Sequence, residues 1–513
     1  MVCLNEASNL KSCWDLVHSE EQWAYVLRSR VIRGSYCIQH HIFSSIWSGV
    51  KNEYQTILDK SMWLVGDGEN INCWMDNWCG EVLAQALNLT STELQSLPKK
   101  LCNFVQSYQW NFPAGMFVSN PNLCNLINHV TIPTVRRRDK LVWKHSNNGE
   151  LTLKESYCFK KSRVPKLQWA KIIWSADFPP SKSLLVWRFM HGKFPTDENL
   201  ASRGCQLPSM CSFCRNALES SNHLFLECSF ASHLWSWFAS TVNRTLNFQT
   251  KEEIWNICNG AWNPQCKTDL ISTIINILNA IWFARNQNWF QNKIIHWKSS
   301  VSSIISSTAL SGNLTKTVAS SSISNFVILK KFNVTLHPPR APLIIEVIWQ
   351  PPPPFWIKCN TDGSTNGNLS SCGGIFRNSK SDFLLYFGEN TGLGESLHAE
   401  LSGAMRAIEI ANSHQWSNLG LDADSELVIK AFKNVSLVPW KLRNRWLNCV
   451  QLISRLNFLA THVFRKGNEC ADSLASLGFN ASPCTIWMNI PDSIRPLYVK
   501  NKLGLPNFRF KNF

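Results

Sequence analysis

Four acidic residues and one histidine in the C-terminal third of the sequence are spaced so that they could share one catalytic centre. Asp362, Glu400, Asp424 and Asp472 follow one another at intervals of 38, 24 and 48 residues, and His462 lies ten positions before the last of them. Carboxylate oxygens are the ligands that hard divalent cations prefer. A histidine titrates near neutral pH and can therefore transfer protons. Each residue alone is more typical of a solvated or capping position, so the ordered set carries the prediction.

The elements around these residues place each one on a strand or near a helix start. Apolar and polar side chains alternate over residues 355–363, which predicts a strand with Asp362 on one face. Glu400 lies in the first turns of a segment whose apolar residues have helical spacing. Asp424 stands between a short strand and a helix that Ser425 is placed to cap. These elements would hold the carboxylates at fixed positions.

The last element repeats the same organisation. A strand, a turn at Gly467 and a helix follow one another, which places His462 near the strand end and Asp472 within the helix. Asp422, two residues before Asp424, is a competing acidic candidate. The helix cap directly after Asp424 favours Asp424 as the functional residue.

This ordered set resembles the acidic motifs of type 1 ribonuclease H over residues 355–480. The resemblance implies an α/β domain, a mixed five-stranded sheet with flanking helices, in which four carboxylates gather at one end. It also implies a metal-dependent endonuclease that cleaves the RNA strand of an RNA–DNA hybrid with two Mg²⁺ ions about 4 Å apart. Asp362 would bridge the ions, Glu400, Asp424 and Asp472 would complete their shells, and His462 would assist proton transfer or product departure.

Two departures from the family pattern motivate an alternative function. Glu426 is an acid that would face a phosphate backbone unfavourably, and the hairpin after Arg377 lacks the acidic residue and the glycine that the family pattern has. The alternative is a catalytically inactive, nucleic-acid-binding remnant of a retrotransposon.

A second constellation consists of cysteines and a histidine. Cys211, Cys214, His223 and Cys228 form a C-x2-C-x8-H-x4-C array. Two thiolates from a C-x2-C loop, with a more distant histidine and cysteine, can complete a tetrahedron around one structural Zn²⁺ ion. The ligand order is that of a zinc knuckle with a longer middle segment. The alternative is a set of free core cysteines beside a satisfied histidine, and Cys205 is a nearby spare thiol.

The surroundings of this array resemble the zinc-binding domain that follows the polymerase in plant LINE-type (non-LTR) retrotransposon reverse transcriptases. The segments WSADFPPSKSLLVWRFMHGKFPT and FASHLWSWF flank the array, and the resemblance covers residues 150–238. Residues 63–78 and IWFARN at 281–286 resemble neighbouring segments of the same proteins. No YADD-like motif is present in the sequence, so the resemblance implies the C-terminal part of such a protein without a polymerase core.

Composition and turn signals predict a multidomain chain. The predicted regions are an irregular, Trp-rich remnant of the post-polymerase connecting region (1–149), a small, mainly α zinc-binding domain (150–238), a helical connector (239–298), a Ser/Pro-rich linker (299–354), the ribonuclease H domain (355–480) and a C-terminal tail (481–513). Serine occupies 11 of the 26 positions from 299 to 324, which predicts a flexible segment. The Asn147–Asn148–Gly149 turn predicts a hairpin over residues 139–157.

The charge balance favours a polyanionic partner. The chain has 51 Lys and Arg against 35 Asp and Glu, a net charge of +16. Residues 355–480 contain 12 basic and 11 acidic residues, so the other regions carry +15. The zinc module and the basic N-terminal region are therefore predicted to help hold nucleic acid, either the hybrid or single strands.

The cysteine content and the apolar segments of the sequence bear on the cellular compartment of the protein. Nineteen cysteines without a disulfide framework predict a reducing, intracellular compartment, with nucleus and cytoplasm both open. The apolar stretch at 270–284 is too short and too polar to cross a membrane, so we expect an amphipathic helix and no membrane partner. The N-terminus has no signal-peptide pattern, and the oligomeric state is left open.

Overall fold

The computed structural model describes residues 2–33, 36–38, 47–113, 115–117, 120–161, 167–205, 210–248, 250–320, 322–339, 341–481 and 484–511. The chain divides into two units. The first joins residues 1–162 to residues 343–511, and the second contains residues 163–342. The second unit therefore interrupts the sequence of the first.

The N-terminal part of the first unit consists of short helices and two-stranded ladders. Its helices are α1 (Val2–His18), α2 (Gln22–Val31), α3 (Trp47–Lys60), α4 (Leu83–Ala86), α5 (Ser91–Ser96), α6 (Pro121–Asn128) and α7 (Leu153–Lys160). Its antiparallel ladders pair β1 (Ile32–Arg33) with β2 (Tyr36–Cys37), β3 (Ser61–Leu64) with β6 (Lys140–Trp143), and β4 (Val105–Gln106) with β5 (Gln109–Trp110).

The tryptophans of this part are mostly core residues. Trp14 and Trp143 lie in one buried apolar cluster, and Trp74 and Trp78 lie in another. The indole N–H of Trp78 donates to the carbonyl oxygen of Cys73 at 2.8 Å, which satisfies its polar atom inside the core. The prediction of an irregular region is therefore wrong for the residues described, because buried aromatic side chains organise them into packed clusters.

The predicted hairpin over residues 139–157 is also wrong in its second half. Lys140–Trp143 is a strand, but its partner is β3 rather than the segment that follows it. The Asn147–Asn148–Gly149 turn is present, with Gly149 at φ +79°. After it, Thr152 accepts from the backbone N–H of Glu155 and the Glu155 carboxylate accepts from the N–H of Thr152, a capping box that starts α7 instead of a strand.

The second unit is built from helices. They are α8 (Gln168–Ile173), α9 (Pro180–Met190), α10 (Asp197–Ala201), α11 (Ser229–Val242), α12 (Pro264–Gln291), α13 (Trp297–Leu314) and α14 (Ile323–Lys331), with a π-helical turn at His223–Glu227 and a 3₁₀ turn at Glu253–Asn259. One buried apolar cluster extends from Trp169 to Val334. The predicted limits at residues 238 and 298 therefore fall inside a single core.

The predicted flexible linker at 299–324 is largely helix, and this prediction is corrected. Helix α13 packs along α12, with Ile304 and Thr308 buried at helical spacing. The Thr308 hydroxyl accepts from Asn276 at 3.3 Å, and small side chains such as serine allow the two helices to approach closely. Serine-rich composition was therefore a sign of close helix packing and not of flexibility.

Helix α12 confirms the predicted helix at 270–284 but not its amphipathic character. Every residue from Thr268 to Leu278 is buried, so the helix has no solvent-facing side over that stretch. Along the part of the chain that the structure describes, no helix combines the length and apolar character needed to span a bilayer.

The C-terminal part of the first unit contains a mixed sheet. Its strands are β7 (Leu343–Val347), β8 (Ile357–Asn366), β9 (Leu369–Arg377), β10 (Phe383–Leu393), β11 (Asn418–Ala423), β12 (Asn457–His462), β13 (Cys484–Trp487) and β14 (Asn507–Lys511). Its helices are α15 (Ser396–Ser413), α16 (Glu426–Ala431), α17 (Trp440–Ile453), α18 (Glu469–Leu477) and α19 (Arg495–Lys502). The sheet order is β12-β11-β8-β9-β10-β13, with β8, β11 and β12 parallel and the remaining pairs antiparallel.

The sheet has six strands where five were predicted, because residues beyond 480 contribute the sixth. Strand β13 pairs with the outer edge of β10, and Trp487 stacks on Tyr386 with ring centroids 4.6 Å apart. Helix α19 then packs Tyr498 against this edge, where its hydroxyl donates to the carbonyl oxygen of Ser381 at 3.0 Å. The segment predicted as a C-terminal tail is thus part of the folded unit.

The N-terminal part of the first unit contacts helix α17. The buried Asn444 amide donates to the carbonyl oxygens of Val65 at 2.8 Å and Thr131 at 3.0 Å. The backbone N–H of Trp440 donates to the carbonyl oxygen of Asn147 at 2.9 Å. Buried amide groups need such partners, so residues more than 290 positions apart in sequence form one surface.

Candidate active site and metal-binding cluster

Two neighbouring parallel strands bring Asp362 and Asp424 together. In the β8–β11 ladder, Asp422 lies opposite Asn360 and Ala423 lies opposite Thr361. Asp424 directly follows the last residue of β11 and therefore comes level with Asp362. Alternation along β8 points the Asp362 side chain to one face of the sheet, as the sequence predicts.

Glu400 reaches the same point because helix α15 approaches β8 at a glycine. A Cβ atom on Gly363 would lie 2.4 Å from the backbone nitrogen of Glu400, so only glycine allows this approach. Gly373 plays the same role on β9, where a Cβ would lie 2.5 Å from the backbone nitrogen of Ala475 in α18. Both helices that carry predicted site residues thus lie directly against the sheet.

Asp362, Glu400 and Asp424 form the carboxylate cluster, each offering an oxygen within 4.8 Å of the others. Among the residues that the structure describes, one buried oxygen of Glu400 and one of Asp424 have no hydrogen-bond partner. Unpaired buried carboxylate oxygens are costly unless a cation or a proton satisfies them. The donor set and these unpaired atoms fit a hard divalent cation.

Asp472, the fourth predicted ligand, lies at the edge of this cluster. Its Oδ1 accepts from the guanidinium of Arg465 at 2.8 Å, and both side chains are substantially exposed. His462 lies at the end of β12, where its Nε2 is 3.1 Å from the backbone oxygen of Asp424. The structure therefore brings three of the predicted carboxylates together and places the fourth and the histidine beside them.

Burial and mutual repulsion raise the pKa of two carboxyls in the cluster. Desolvation and the neighbouring charges of Glu400, Asp424 and Asp472 raise the pKa of Asp362 to about 10. Desolvation and the charge of Asp424 raise the pKa of Glu400 to about 8. Near neutral pH and without metal, these two groups hold protons that a bound cation would displace.

The first unit is therefore expected to lose stability as pH rises in buffer without Mg²⁺. In the unfolded chain both carboxyls have a pKa near ~4, so the folded state binds more protons between that value and the raised ones. The free energy of unfolding is therefore expected to fall as pH rises, through about pH 8 for Glu400 and about pH 10 for Asp362.

Urea unfolding at several pH values measures this slope. Glu400→Gln is expected to flatten the part of the profile up to pH 8, and Mg²⁺ is expected to reduce the loss, more strongly at higher pH. A profile without Mg²⁺ that rises over this range would contradict the raised pKa values.

Asp422, the competing candidate for the functional acid, forms its contacts with neighbouring strands of the sheet. Its Oδ2 lies 3.0 Å from the Lys358 ammonium, and its Oδ1 accepts a hydrogen bond from the Thr461 hydroxyl. The buried carboxylate thus joins three adjacent strands, which is a structural role.

A buried polar network, which no sequence pattern predicted, holds β8 against α18. The Asn360 oxygen accepts from the Arg377 guanidinium at 2.7 Å and from the Trp349 indole at 2.9 Å. The Asn360 amide donates to Asn468 at 3.1 Å, and Asn468 donates to the carbonyl oxygen of Thr361 at 2.9 Å. Asp362 and the helix of Asp472 are connected through these bonds, so the network fixes their relative position.

The four predicted zinc ligands also converge. The sulfur atoms of Cys211 and Cys228 are 3.7 Å apart, and the Cys214 sulfur lies 3.3 Å from Nε2 of His223. All four ligand atoms lie within 4.8 Å of one another. The Cys211 thiol donates to Cys228 and lowers the pKa of that sulfur. Zn–S bonds of about 2.3 Å give a tetrahedral edge of about 3.8 Å, which these separations match.

A buried ion cluster supports the loop that carries these ligands. The Arg285 guanidinium donates to Glu219 at 2.7 Å and to Asp197 at 3.3 Å, and all three residues are at most 3% exposed. Arg285 also stacks on Trp289 at 4.9 Å from the ring centroid. Glu219 lies between Cys214 and His223 in sequence, so α12 is tied to the middle of the metal-binding loop.

Arg285→Ala is expected to destabilise the second unit by about 3–5 kcal/mol, because it leaves two buried carboxylates without a counter-charge. Arg285→Lys keeps the charge but loses the planar fork, so we expect an intermediate loss. Urea unfolding followed by tryptophan fluorescence measures both. A loss below about 1 kcal/mol for Arg285→Ala would show that the carboxylates find other partners.

A mixed sheet with this strand order, flanked by helices and carrying an acidic cluster across β8, β11 and α15, defines a ribonuclease H-like fold. Comparison with known families agrees. Residues 360–478 match the family model described as reverse transcriptase-like, and residues 151–235 match the model for zinc-binding in reverse transcriptase. The predicted pairing of a reverse transcriptase zinc-binding domain with a ribonuclease H-like domain is thus confirmed.

The chain is also similar to individual known proteins. The chain is 24% identical over 535 positions to the Arabidopsis thaliana protein named "Putative ribonuclease H protein", covering 98% of this chain and 81% of that protein. Solved structures similar to about a quarter of the chain include RNase H1 of Halobacterium salinarum, with 23% identity, 24% of this chain and 98% of that chain covered, and a TM-score of 0.22. Another is LC11-RNase H1 in complex with RNA/DNA hybrid, which is 21% identical. The match covers 24% of this chain and 96% of that chain, with a TM-score of 0.23.

Proposed function

We propose that the protein is a metal-dependent endonuclease that cleaves the RNA strand of RNA–DNA hybrids. The observation that carries the proposal is the carboxylate cluster of Asp362, Glu400 and Asp424, with its unpaired buried oxygens. The ribonuclease H-like domain supports the same reaction class. The net charge of +16 supports a polyanionic substrate.

Asp362, Glu400 and Asp424, together with Asp472, would hold two Mg²⁺ ions. When bound, such ions activate the attacking water and stabilise the leaving 3′ oxygen. Asp362 lies within β8 opposite Gly373 of β9, so it would set the position at which the scissile phosphate binds. Asp472 is half-buried and lies on the first turn of α18, where it can exchange its ion pair with Arg465 for a metal ligand role.

His462 is proposed to move a proton at the site entrance. Its imidazole is exposed at the end of β12, and Nε2 contacts only the backbone oxygen of Asp424 among the hydrogen bonds of the described residues. An exposed imidazole can act as a proton acceptor or donor in catalysis. Its position beside Asp424 places that proton next to the bound phosphodiester.

The cysteine and histidine cluster is proposed to hold one structural Zn²⁺ ion. Four ligands complete a closed tetrahedron and leave no position for a substrate, which is typical of structural zinc. Cys211 and Cys228 are fully buried in the core of the second unit. The zinc module and the basic regions outside 355–480 would then help to hold nucleic acid.

A cleavage assay tests the proposed reaction. The full chain is incubated with Mg²⁺ and a hybrid labelled on its RNA strand, alongside matched double-stranded RNA and DNA. We expect fragments from the RNA of the hybrid only, and none from the Asp424→Asn variant. Hybrid binding without cleavage would favour a nucleic-acid-binding remnant. Cleavage that Asp424→Asn leaves unchanged would exclude the carboxylate cluster as the active site.

A further inference from the structure

A cleft opens beside the carboxylate cluster, and the C-terminal strand lines it. Asp424 and Asp472 line this cleft together with Phe464 and Arg509. Arg509 belongs to β14, beyond the last residue of the ribonuclease H-like match at 478. A residue outside the recognised domain therefore faces the cleft at its proposed active site.

The β7–β14 ribbon fixes Arg509 in place. In its antiparallel register, Arg509 lies opposite Ile345 and Asn507 lies opposite Val347. Asn507 is buried, and its amide contacts the carbonyl oxygen of Lys466 at the cleft, while its own side-chain oxygen accepts from Lys500. Because side chains on one strand alternate between faces, Arg509 shares the inward face with Asn507.

Arg509 differs from the other cations of the cleft. Arg465 pairs with Asp472 at 2.8 Å, and Lys466 pairs with Glu469 at 3.1 Å. Arg509 is exposed, and no carboxylate of the described residues forms an ion pair with it. Its guanidinium lies over the Phe464 ring, 4.5 Å from the centroid.

We propose that Arg509 binds a backbone phosphate of the nucleic-acid strand whose scissile bond lies at the carboxylate cluster. This inference rests on the proposed function and adds a substrate-binding residue to it. A guanidinium that stacks on an aromatic face keeps its N–H edge free for two parallel bonds to phosphate oxygens. The stacking on Phe464 also limits the side-chain entropy lost on binding.

The electrostatics of the cleft require such a contact. Asp424, Asp472 and the other carboxylates repel a polyanion until cations offset them, and two nearby basic side chains already neutralise acids of the cleft itself. Among the described residues that line the cleft, Arg509 is the cation that has no carboxylate partner and can attract the strand. The acidic side chains of the cleft would bind metal and the scissile phosphate, and Arg509 would bind another phosphate of the same strand.

Two matched variants of the full chain test this inference. Arg509→Gln removes the charge and keeps a side chain of similar length. Lys511→Gln removes the same charge two residues along the same face of the strand, at a residue that does not line the cleft. Anisotropy titrations with a fluorescent RNA–DNA hybrid, with Ca²⁺ in place of Mg²⁺, are made at several salt concentrations. Arg509→Gln is expected to weaken binding about tenfold and to reduce the salt slope by about 0.9, the value for one phosphate contact.

The remaining arms separate binding from folding and from catalysis. Lys511→Gln is expected to bind within about twofold of the unchanged protein, and Arg509→Lys to keep the full salt slope. In the cleavage assay with Mg²⁺, Arg509→Gln is expected to raise KM and leave kcat unchanged. Thermal unfolding shows that the ribbon is intact if the melting temperatures of both glutamine variants agree.

Several results would overturn the inference. Equal affinities and salt slopes for Arg509→Gln and Lys511→Gln, with normal cleavage by the unchanged protein, would remove Arg509 from the substrate site and leave the proposed function standing. Loss of the salt slope in Arg509→Lys would also contradict a charge contact. If the unchanged protein neither binds nor cleaves the hybrid, the proposed function and this inference fail together.

Discussion

Asp362→Asn is expected to lower kcat for cleavage of the RNA strand by at least about 10³-fold while making the metal-free protein more stable. Asp362 is 3% exposed and lies between Glu400 and Asp424. An asparagine has the same shape but carries no charge to hold two cations, so metal binding and phosphate positioning both fail. KM is expected to change much less, because most substrate contacts lie elsewhere.

The gain in stability follows from the cost of the native carboxylate. Burial and the neighbouring acids raise the pKa of Asp362 to about 10, so at pH 8 the folded protein must retain a proton that the unfolded chain has released. Asparagine removes that cost. We expect the free energy of unfolding at pH 8 without Mg²⁺ to rise by at least about 1 kcal/mol, and the stabilisation by Mg²⁺ to disappear.

Asp382→Asn is the matched control. Asp382 is an exposed acid of the same unit that pairs with Lys502 at 2.8 Å on the surface. Its replacement changes the net charge equally and should leave kcat and the Mg²⁺ effect unaltered. Single-turnover cleavage and urea unfolding measure the two properties. Cleavage by Asp362→Asn within tenfold of the unchanged protein would place the active site elsewhere.

Cys228→Ala is expected to remove bound zinc and most of the stability of the second unit. Cys228 is fully buried, and its sulfur is 3.7 Å from that of Cys211. Structural zinc supplies an apparent free energy on the order of 10 kcal/mol to small domains, which is comparable to the total stability of a domain. The second unit has an additional helical core, so we expect partial unfolding around residues 210–228 to precede loss of the helices.

Cys205→Ala is the control for this experiment, because Cys205 is an exposed cysteine close in sequence and outside the cluster. Metal analysis is expected to find one zinc per chain in Cys205→Ala and less than about 0.1 in Cys228→Ala. A chelator should lower the stability of Cys205→Ala and not that of Cys228→Ala. Equal zinc contents in the two variants would contradict the proposed metal site.

The carboxylate cluster could be predicted because its positions depend on local patterns. Alternation along residues 355–363 predicts the face of Asp362, and helical spacing predicts Glu400 in the first turns of the helix observed as α15. Asp424 follows from the strand-to-helix junction at Ser425. Asp472 was also correctly placed on a helix, but its pairing with Arg465 depends on a three-dimensional neighbour that no sequence spacing reveals.

The structural features that could not be predicted depend on packing between segments that are distant in sequence. The serines of α13 look like a linker by composition, and only contact with α12 shows that small polar side chains suit that helix pair. Strand β13 has four residues, too few for a clear alternation, and it forms because β10 offers a free edge. The β7–β14 ribbon joins segments about 160 residues apart, so neither strand indicates its partner.

The interruption of the first unit by residues 163–342 has a consequence during synthesis. The carbonyl groups of Val65, Thr131 and Asn147 accept hydrogen bonds from α17. The residues of α17 emerge from the ribosome only after the whole second unit. At about 5–20 residues per second, that delay is on the order of ten to sixty seconds. During it the nascent N-terminal part presents an uncovered surface on which chaperones can act, while the helices of residues 163–342 are already complete enough to fold.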